Sequence, residues 1–400
     1  MKDTGNSCEV TLRSMATFVF CTLLLPVVAS SQTIIDGANL PVVQRQFEIS
    51  PGEKQLSCRV QPIKPVLNFS FRFQSGYVFE VPMSQFLGPG HLWIILSRIT
   101  PDEGDRKPVY FGNSLKLPDV PKTKAHLEFG GGYFLGEGGY KVDFVLLDEM
   151  DRTCRKTWHV EGKLGSIDRH ASLHIASNTV GQFSAKNWTA VRGGESAGGR
   201  PLRVSVLLHA SPLAPWRTKL RASDRVTLLG SLSSLVEMLP AESVRISVFN
   251  LDQQKELFET DHITTQTFDR IAQAMNDLEL GTVDYRVLLN RRGHMDVLAD
   301  LLNHELSAKQ PPDAVIVLGP TARYIDRPRE SELTSNGEAH PKFFYLQYQP
   351  NRRRESSLSD SIENAIRRLR GKTMIVRTPK DFAEAIAHVR QQLALSTALR

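Results

Sequence analysis

The stretch that decides the fold is Leu202 to Leu213, which reads Leu-Arg-Val-Ser-Val-Leu-Leu-His-Ala-Ser-Pro-Leu. Its first half is a nearly continuous apolar run, which is typical of a strand buried on both faces of a parallel sheet. The run ends at His209, and an amphipathic segment begins near Ser223. A strand, a polar loop and a helix predict an open α/β sheet, whose ligand sites lie at the carboxyl ends of strands. His209, Ser211 and Leu213 are therefore the first candidate site residues.

Residues 202 to 400 continue as alternating strands and helices. The spacing of apolar residues predicts strands at 244–251, 255–260, 313–319, 343–348 and 373–376, and helices at 223–239, 267–278, 287–306, 359–369 and 380–395. The second strand in this list is expected to pair with the first as a hairpin. Such alternation predicts a mainly parallel, doubly wound sheet with helices on both faces.

Residues 33 to 160 predict an all-β module that precedes the α/β part. Short apolar runs separated by turn residues, without a long helical period, favour a β-sandwich. Asn68 to Phe73 alternates as Asn-Phe-Ser-Phe-Arg-Phe, which predicts a strand with three phenylalanines on one face. Gly130 to Gly132 is interpreted as a turn, because no Lys-Ser or Lys-Thr pair follows it as in a phosphate-binding loop.

The segment from Gly136 to Asp148 contains a Gly-rich turn, Tyr140 and then an alternating run. This order resembles the tyrosine corner of immunoglobulin-like sandwiches, in which the tyrosine hydroxyl bonds to nearby backbone. The immunoglobulin pattern places a cysteine two residues after the tyrosine, but Val142 stands there. The resemblance is therefore to the general sandwich architecture.

The first 31 residues resemble an export signal. Lys2 and Arg13 supply positive charge, and an apolar run from Met15 to Ala29 ends in small residues suited to cleavage. The run is short for a membrane span, so we expect a signal peptide and a secreted or periplasmic protein. An uncleaved anchor is the alternative. The remaining length and the hydrophobic content of 41% allow two domains with real cores.

The cysteines agree with export. Cys8 and Cys21 leave with the expected leader, so the mature chain keeps only Cys58 and Cys154. Two cysteines in an exported protein predict one disulfide. In the chain-entropy model, a disulfide that closes a loop of 96 positions would raise the free energy of unfolding by at most about 4–5 kcal/mol. Two separate buried thiols remain the alternative.

Residues 161 to 201 are predicted to be a linker, because hydrophobic residues become sparse and Ser, Gly, Asn and Thr become frequent. Within this segment, Gly194-Glu195-Ser196-Ala197-Gly198 matches the G-x-S-x-G nucleophile elbow of esterases. That motif needs a helix after the serine, whereas here Gly199-Arg200-Pro201 and a β-like run follow. A flexible linker is the simpler interpretation. A serine hydrolase that uses Ser196 is the alternative function.

The α/β part resembles a von Willebrand factor type A (VWA) domain. The features that carry the resemblance are the strand ending in His209-Ala210-Ser211-Pro212-Leu213, the hairpin after the first helix, the Gly281-Thr282 loop and the strand at 315–319. The whole chain is also similar to exported VWA-related bacterial proteins in which such a domain follows a β-rich module. The resemblance implies a Rossmann-like sheet and a role in protein–protein interaction, of the adhesion or scaffold type, without catalysis.

VWA domains that bind a cation use Asp-x-Ser-x-Ser, a later Thr and a final Asp, because Mg²⁺ prefers oxygen ligands. In this chain His209 stands at the first Asp, Leu213 at the second Ser and Gly319 at the final Asp. Only Ser211 and Thr282 match. Two hydroxyls without a carboxylate cannot offset the dehydration of Mg²⁺. The resemblance therefore implies a degenerate metal site, and we expect neither metal nor cofactor.

The charge is mildly basic, with a net value of +6 and a pI near 9.1. Basic and aromatic residues do not alternate in a nucleic-acid-binding motif, so we expect no nucleic acid. The densest basic stretches are Arg352, Arg353 and Arg354, and Arg367, Arg368 and Arg370. They are candidates for binding an acidic protein or an anionic envelope surface, and a solvated helix face is the alternative. A purely structural envelope component is a further alternative function. The sequence names neither the protein partner nor the oligomeric state.

Overall fold

The computed structural model describes most of the chain after residue 31. The described residues are 32–49, 51–166, 168, 171–183, 202–214, 216–264, 266–278, 285–329, 331–333, 341–349 and 359–398. The expected signal peptide (1–31), the Gly194–Gly198 motif, Thr282 and Arg352 to Arg354 lie outside these residues. Predictions about them therefore remain predictions.

The described residues form strands in the first half and alternating strands and helices in the second. The first half contains β1 (Thr33–Ile34), α1 (Leu40–Arg45), β2 (Lys54–Gln55), β3 (Arg59–Leu67), β4 (Phe73–Pro82), β5 (Leu92–Pro101), β6 (Val109–Lys116), β7 (His126–Leu135), β8 (Gly138–Asp148), β9 (Arg152–Gly162) and β10 (Val180–Gln182). The second half contains β11 (Leu202–His209), α2 (Ala222–Met238), β12 (Ala241–Asn250), β13 (Lys255–Thr260), α3 (Thr267–Asn276), α4 (Tyr285–Leu289), α5 (Gly293–Ser307), β14 (Ala314–Pro320), β15 (Lys342–Tyr348), α6 (Ser361–Arg368), β16 (Lys372–Val376) and α7 (Pro379–Ala398).

Two sheets in the first half share one aromatic core. One sheet has six strands in the order β1-β6-β5-β8-β9-β2, and the other has four in the order β10-β7-β4-β3. Alternate residues of both sheets point into the same buried cluster. Tyr77 of the four-stranded sheet meets Phe144 of the six-stranded sheet edge to face, with ring centroids 4.8 Å apart. β10 belongs to this part, although it lies in the segment that the sequence interprets as a linker.

The disulfide predicted from the sequence is present. Cys58, just before β3, bonds to Cys154 on β9, and their Cα atoms lie 6.0 Å apart. Because β3 is the edge strand of the four-stranded sheet and β9 belongs to the six-stranded sheet, the bond joins the two sheets. A covalent cross-link over this sequence separation restricts the unfolded chain.

Tyr140 forms the backbone contact expected for its motif. Its hydroxyl lies 3.1 Å from the carbonyl oxygen of Gly136 and 3.0 Å from that of Thr179, so it donates to these two acceptors. Burial raises the pKa of Tyr140 to about 12, which keeps the hydroxyl protonated as a donor. The contact fixes the start of β8 to the segment that leads into β10.

The turn predicted at Gly130 to Gly132 is wrong, because these glycines lie inside β7. They leave room for neighbours across the sheet. A Cβ atom at Gly131 would lie 2.6 Å from the Tyr77 ring, and one at Gly76 would lie 2.1 Å from the Gly131 carbonyl oxygen. The glycines therefore allow the backbones of β4 and β7 to approach each other closely. The turn predicted from the sequence does not indicate this contact.

The strand predicted at Asn68 to Phe73 is also wrong. Residues 68 to 72 form the turn between β3 and β4, whose ends pair through Leu67 and Phe73. The Asn68 side chain holds the turn, since its Oδ1 accepts hydrogen bonds from the Ser70 N–H (3.0 Å) and hydroxyl (2.7 Å). Phe71 adopts a positive φ of 52°, which is rare for a bulky residue. An asparagine-stabilised turn explains why the alternation does not continue as a strand.

This turn places two phenylalanines in the core of the second half of the chain. Phe69 packs on Tyr348 at 5.0 Å between ring centroids. Phe71 stacks on Phe382 at 5.8 Å. Both phenylalanines belong to the same buried cluster as β11, α2 and α7. The two halves of the chain therefore share a hydrophobic core.

The second half contains a six-stranded mixed sheet in the order β13-β12-β11-β14-β15-β16. All neighbouring pairs are parallel except the β12–β13 hairpin, as the sequence predicts. Helices α2, α3 and α7 cover one face, and α5 and α6 cover the other. Val206 and Leu207 of the central strand β11 point into these two different cores, which explains its continuous apolar sequence. The helix predicted at 287–306 is two helices, because Asn290 to Arg292 interrupt it.

Candidate functional site

The carboxyl ends of β11 and β14 meet at His209, which the sequence singles out. The side chain is buried, with 2% of the residue exposed. Its Nδ1–H donates to the Pro320 carbonyl oxygen at 3.2 Å, and its ring stacks on Phe249 with centroids 5.2 Å apart. Burial lowers the pKa of His209, and the Pro320 carbonyl and the Asp252 charge only partly oppose this effect. Burial therefore favours the neutral imidazole. Its Nε2 is buried without a hydrogen-bond partner among the described residues.

Gly319 lies directly against the same histidine, which leaves no room for a side chain. Its φ is +151°, and a Cβ atom there would lie 2.8 Å from both the Cβ and the carbonyl oxygen of His209. Such distances are too short for a side chain, so a carboxylate does not fit at this position of the present backbone. The VWA resemblance implies that Gly319 stands where a metal-binding Asp is expected, and the structure places Gly319 directly against His209.

Ser211 and Leu213 are the other two described positions of the expected degenerate metal site, and their surroundings differ. Ser211 is buried, and its N–H donates to the His209 carbonyl oxygen at 3.0 Å. Leu213 packs against the apolar core under α2. Within the ranges that the structure covers, no three His, Cys, Asp or Glu side chains are placed to hold a metal ion.

Asp360 organises the same edge of the sheet, and sequence reasoning missed it. It precedes α6, and its Oδ1 accepts the Glu363 N–H at 2.7 Å as a helix N-cap. Its Oδ2 accepts hydrogen bonds from the Ala322 N–H, the Tyr345 hydroxyl and the Gln347 amide at 2.8 to 3.1 Å. Burial raises the pKa of Asp360 although these hydrogen bonds oppose it. An acidic residue just before a predicted helix indicates an N-cap. The sequence does not indicate which distant residues donate hydrogen bonds to its second oxygen.

Side chains tie together the loops that follow β11, β12 and β14. Arg323, after β14, donates to the Arg217 carbonyl oxygen in the loop after β11. The same guanidinium lies 3.5 Å from the Asp252 carboxylate after β12. Gln254, in the β12–β13 turn, donates to the Asn290 carbonyl oxygen at 2.9 Å. The three loops and the start of α5 therefore form one connected surface.

A second set of contacts joins the start of α5 to the loop after β14. Arg292 lies 3.7 Å from the Asp326 carboxylate, and its Nη2 donates to the Arg327 carbonyl oxygen at 3.3 Å. His294 Nε2 lies 2.9 Å from Asp326, and the His294 ring stacks on Tyr324 at 3.9 Å. These contacts fix the loop positions relative to each other.

Large apolar side chains project from this connected surface. Trp216 follows β11, Leu289 ends α4 and Ile325 follows β14. All three are more than half exposed, at 54%, 67% and 58%. We name Trp216, Leu289 and Ile325, with exposed Tyr285 of α4, the loop surface. Because exposed apolar patches mark interaction sites, these four side chains are candidates for a binding surface.

The charge around the loop surface is positive. The acidic groups Asp252 and Asp326 lie against cationic or imidazole groups. Exposed Lys219, Arg291 and Arg327 have no side-chain hydrogen bond or ion pair with any residue that the structure describes. Because the acidic groups are paired within the protein while the three cations are exposed to solvent, the surface favours an acidic partner.

Of the basic residues predicted from the sequence, Arg367, Arg368 and Arg370 lie in the described part of the chain. Arg367 and Arg368 are in the last turn of α6, and Arg370 follows it. The Arg367 guanidinium reaches back along the helix and donates to the Ser359 hydroxyl at 3.0 Å. Arg367 bonds to Glu363 at 2.6 Å, one helical turn earlier.

Comparisons with known proteins leave the chain without a family. No protein family model matches it. No curated protein matches it. Fifteen chains of known structure match. One is a Bordetella pertussis protein assigned as ApaA, with 11% identity, 28% of this chain and 98% of that chain covered, and a TM-score of 0.20. Another is a conjugate transposon protein from Bacteroides vulgatus, with 14% identity, 32% and 98% coverage, and a TM-score of 0.17. Similarities of this size assign neither a fold family nor a function.

One further finding concerns membranes. Among the helices of the described residues, none is both long and apolar enough to span a bilayer.

Proposed function

We propose that this chain is an exported, non-enzymatic protein-binding protein, in which a VWA-like domain with a degenerate metal site follows an immunoglobulin-like sandwich. The observation that carries the proposal is the loop surface, where Trp216, Leu289 and Ile325 are exposed on loops held together by hydrogen bonds. A rigid surface with an aromatic anchor and a charged rim is typical of protein recognition.

The proposal of a degenerate metal site rests on His209 and Gly319. If the chain has a VWA-like site, the buried His209 imidazole stands at one acidic ligand position, and Gly319, where crowding excludes a side chain, stands at another. Mg²⁺ is held by oxygen ligands in near-octahedral geometry, which an imidazole and a glycine do not supply. Calorimetric titration of the purified protein with Mg²⁺ and Mn²⁺ tests this part. We expect no binding heat, and saturable binding that His209→Ala abolishes would contradict it.

Export is part of the proposal and rests on two features. The leader-like composition of residues 1 to 31 supplies one, and the Cys58–Cys154 disulfide supplies the other. Disulfides persist in oxidising compartments such as the periplasm and the extracellular space. Mass spectrometry of the protein from cell fractions tests export, since the mature chain is expected outside the cytoplasm and without its leader.

The partner is sought by affinity capture from envelope and secreted extracts, followed by mass spectrometry. Trp216→Ala combined with Ile325→Ala is the test variant. The matched control is Met150→Ala, because Met150 is similarly exposed but lies in the turn between β8 and β9. We expect a protein that the native chain and the control retain and the double variant loses. A set of captured proteins that is the same for all three chains would contradict binding through the loop surface.

A further inference from the structure

A second site lies away from the loop surface, between α5 and the β12–β13 hairpin. It is a cavity of about 190 Å³. Its walls carry the carboxyl groups of Glu256, Glu259, Asp300 and Glu305, and a single guanidinium group from Arg245. Arg245 lies in the first half of β12 and Glu305 near the end of α5, so the cavity lies toward the amino ends of the parallel strands.

The sheet face beneath the cavity is unusual for its polarity. Elsewhere on this face, Leu207, Val315 and Val317 fill the core under α5 and α6. At the cavity the corresponding positions are Ser205 on β11 and Ser247 on β12, which are 1% and 2% exposed. The Ser205 hydroxyl has no hydrogen-bond partner that the described geometry supplies. The Ser247 hydroxyl is paired, since it donates to Glu256. Buried polar groups destabilise a fold unless they are paired, so the Ser205 hydroxyl is the one without an evident structural benefit.

Glu305 is the second unusual feature of the cavity. Its side chain is only 4% exposed, yet it lines the cavity. Its ion pair with Arg245 Nε spans 3.6 Å, which is too long for a hydrogen bond. The Arg245 Nη2 atom instead donates to Glu259, and Nε lies 3.4 Å from Asp261. One guanidinium therefore serves three carboxylates. Burial raises the pKa of Glu305, because Ser205 and Arg245 only partly offset its desolvation.

The charge and size of the cavity define the ligand class. Four carboxyl groups against one guanidinium and the His304 imidazole make its lining acidic. The volume is below the roughly 300–1,000 Å³ of sites for drug-sized ligands, so a single cationic group with a short stem fits better. Ammonium and guanidinium groups bind carboxylates through charge-assisted hydrogen bonds.

We propose that this cavity binds an ammonium or guanidinium group, with Glu305 as its buried carboxylate partner and Glu256 and Glu259 at its rim. The group is carried either by a small free amine or by a lysine or arginine side chain of another protein. This site is independent of the loop surface, because none of its lining residues belongs to that surface.

The test is calorimetric titration of the full chain with two probes. Agmatine represents a free amine, and N-acetylarginine amide represents an arginine side chain in a protein. Binding of agmatine alone indicates a free amine, and binding of the blocked arginine indicates a protein side chain. We expect at least one probe to bind with a dissociation constant of about 1 mM or less. No binding of either probe at about 10 mM would overturn the proposal.

Variants assign binding to the cavity. Glu305→Gln keeps the shape of the side chain, and we expect it to weaken binding at least tenfold. Glu256→Gln, at the exposed rim, provides a second variant whose folding is not at risk and is expected to weaken binding less. The control is Glu384→Gln, an exposed glutamate on α7. Equal affinity in Glu305→Gln and the native chain would contradict the assignment.

Discussion

At the residue scale, His209 shows how one side chain determines its surroundings. The imidazole is held between the Pro320 carbonyl oxygen and the Phe249 ring. The backbone of Gly319 passes so close to it that only glycine fits. The resemblance to VWA domains leads us to expect that His209 and Gly319 depart from a metal-binding pattern. It cannot show that the two residues are in contact, because they lie on different strands.

A pH dependence of stability follows from the buried imidazole. Burial lowers the pKa of His209 below its ordinary value of 6.5, so the unfolded chain binds a proton more readily than the folded chain. The free energy of unfolding is therefore expected to fall as the pH decreases below 6.5, by at most about 1.4 kcal/mol per pH unit from this group. His209→Asn, which retains a donor for Pro320 but does not titrate, should reduce this decrease.

Urea denaturation at pH 7, 6 and 5 measures the effect. The decrease is expected to become smaller in His209→Asn without disappearing, since burial also lowers the pKa of His294. An unchanged slope in the variant would show that His209 does not carry the acid sensitivity.

At the element scale, Asp360 links α6 to β14 and β15. Asp360→Ala removes a helix cap and leaves the Ala322 N–H and the Gln347 amide without their acceptor. A lost cap costs about 1 kcal/mol, and buried unpaired donors add roughly 1–3 kcal/mol. We expect the free energy of unfolding to fall by about 2–4 kcal/mol in denaturant titrations. Asp296→Ala, at an exposed first-turn acid of α5, is the control and should cost much less.

The disulfide acts between elements of the two sheets. Replacing Cys58 and Cys154 together by alanine should lower the free energy of unfolding by about 2–5 kcal/mol, because the unfolded chain gains conformational freedom. Thermal unfolding of the double variant measures this. A reducing agent should lower the melting temperature of the native chain but not that of the variant. Equal sensitivity of both chains would contradict a stabilising bond.

The elements differ in how far sequence reasoning predicts them. Continuous apolar runs predict β14 and β15, and helical spacing predicts α2. These predictions succeed because the apolar pattern of each element depends on which of its own residues are buried. The turn at residues 68 to 72 does not. Its phenylalanines alternate as in a strand, but Phe69 and Phe73 enter different cores. That outcome depends on Phe382, which is more than three hundred positions away and is not visible in a local pattern.

At the scale of the whole molecule, Phe69 and Phe71 join the two halves of the chain through a shared core. Phe71→Ala should lower stability by about 3–5 kcal/mol, because it leaves a cavity beside Phe382. It should also separate the unfolding of the two halves. Differential scanning calorimetry is expected to show one transition for the native chain and two for the variant.

The control for this prediction is Phe144→Ala, which removes a buried ring from the core of the first two sheets alone. It should lower the stability of the first half without removing the contact between the halves. If Phe71→Ala lowers the melting temperature but keeps one transition, the shared core does not couple the two halves.

The measurement that tests the proposed function most directly is the affinity of the captured partner for the purified chain, with Mg²⁺ and with a chelator. Recognition through the loop surface without a metal predicts the same affinity in both solutions. It also predicts at least tenfold weaker binding in Trp216→Ala, since an exposed aromatic anchor contributes about 2 kcal/mol or more. Loss of binding in the chelator, or full affinity in Trp216→Ala, would contradict it.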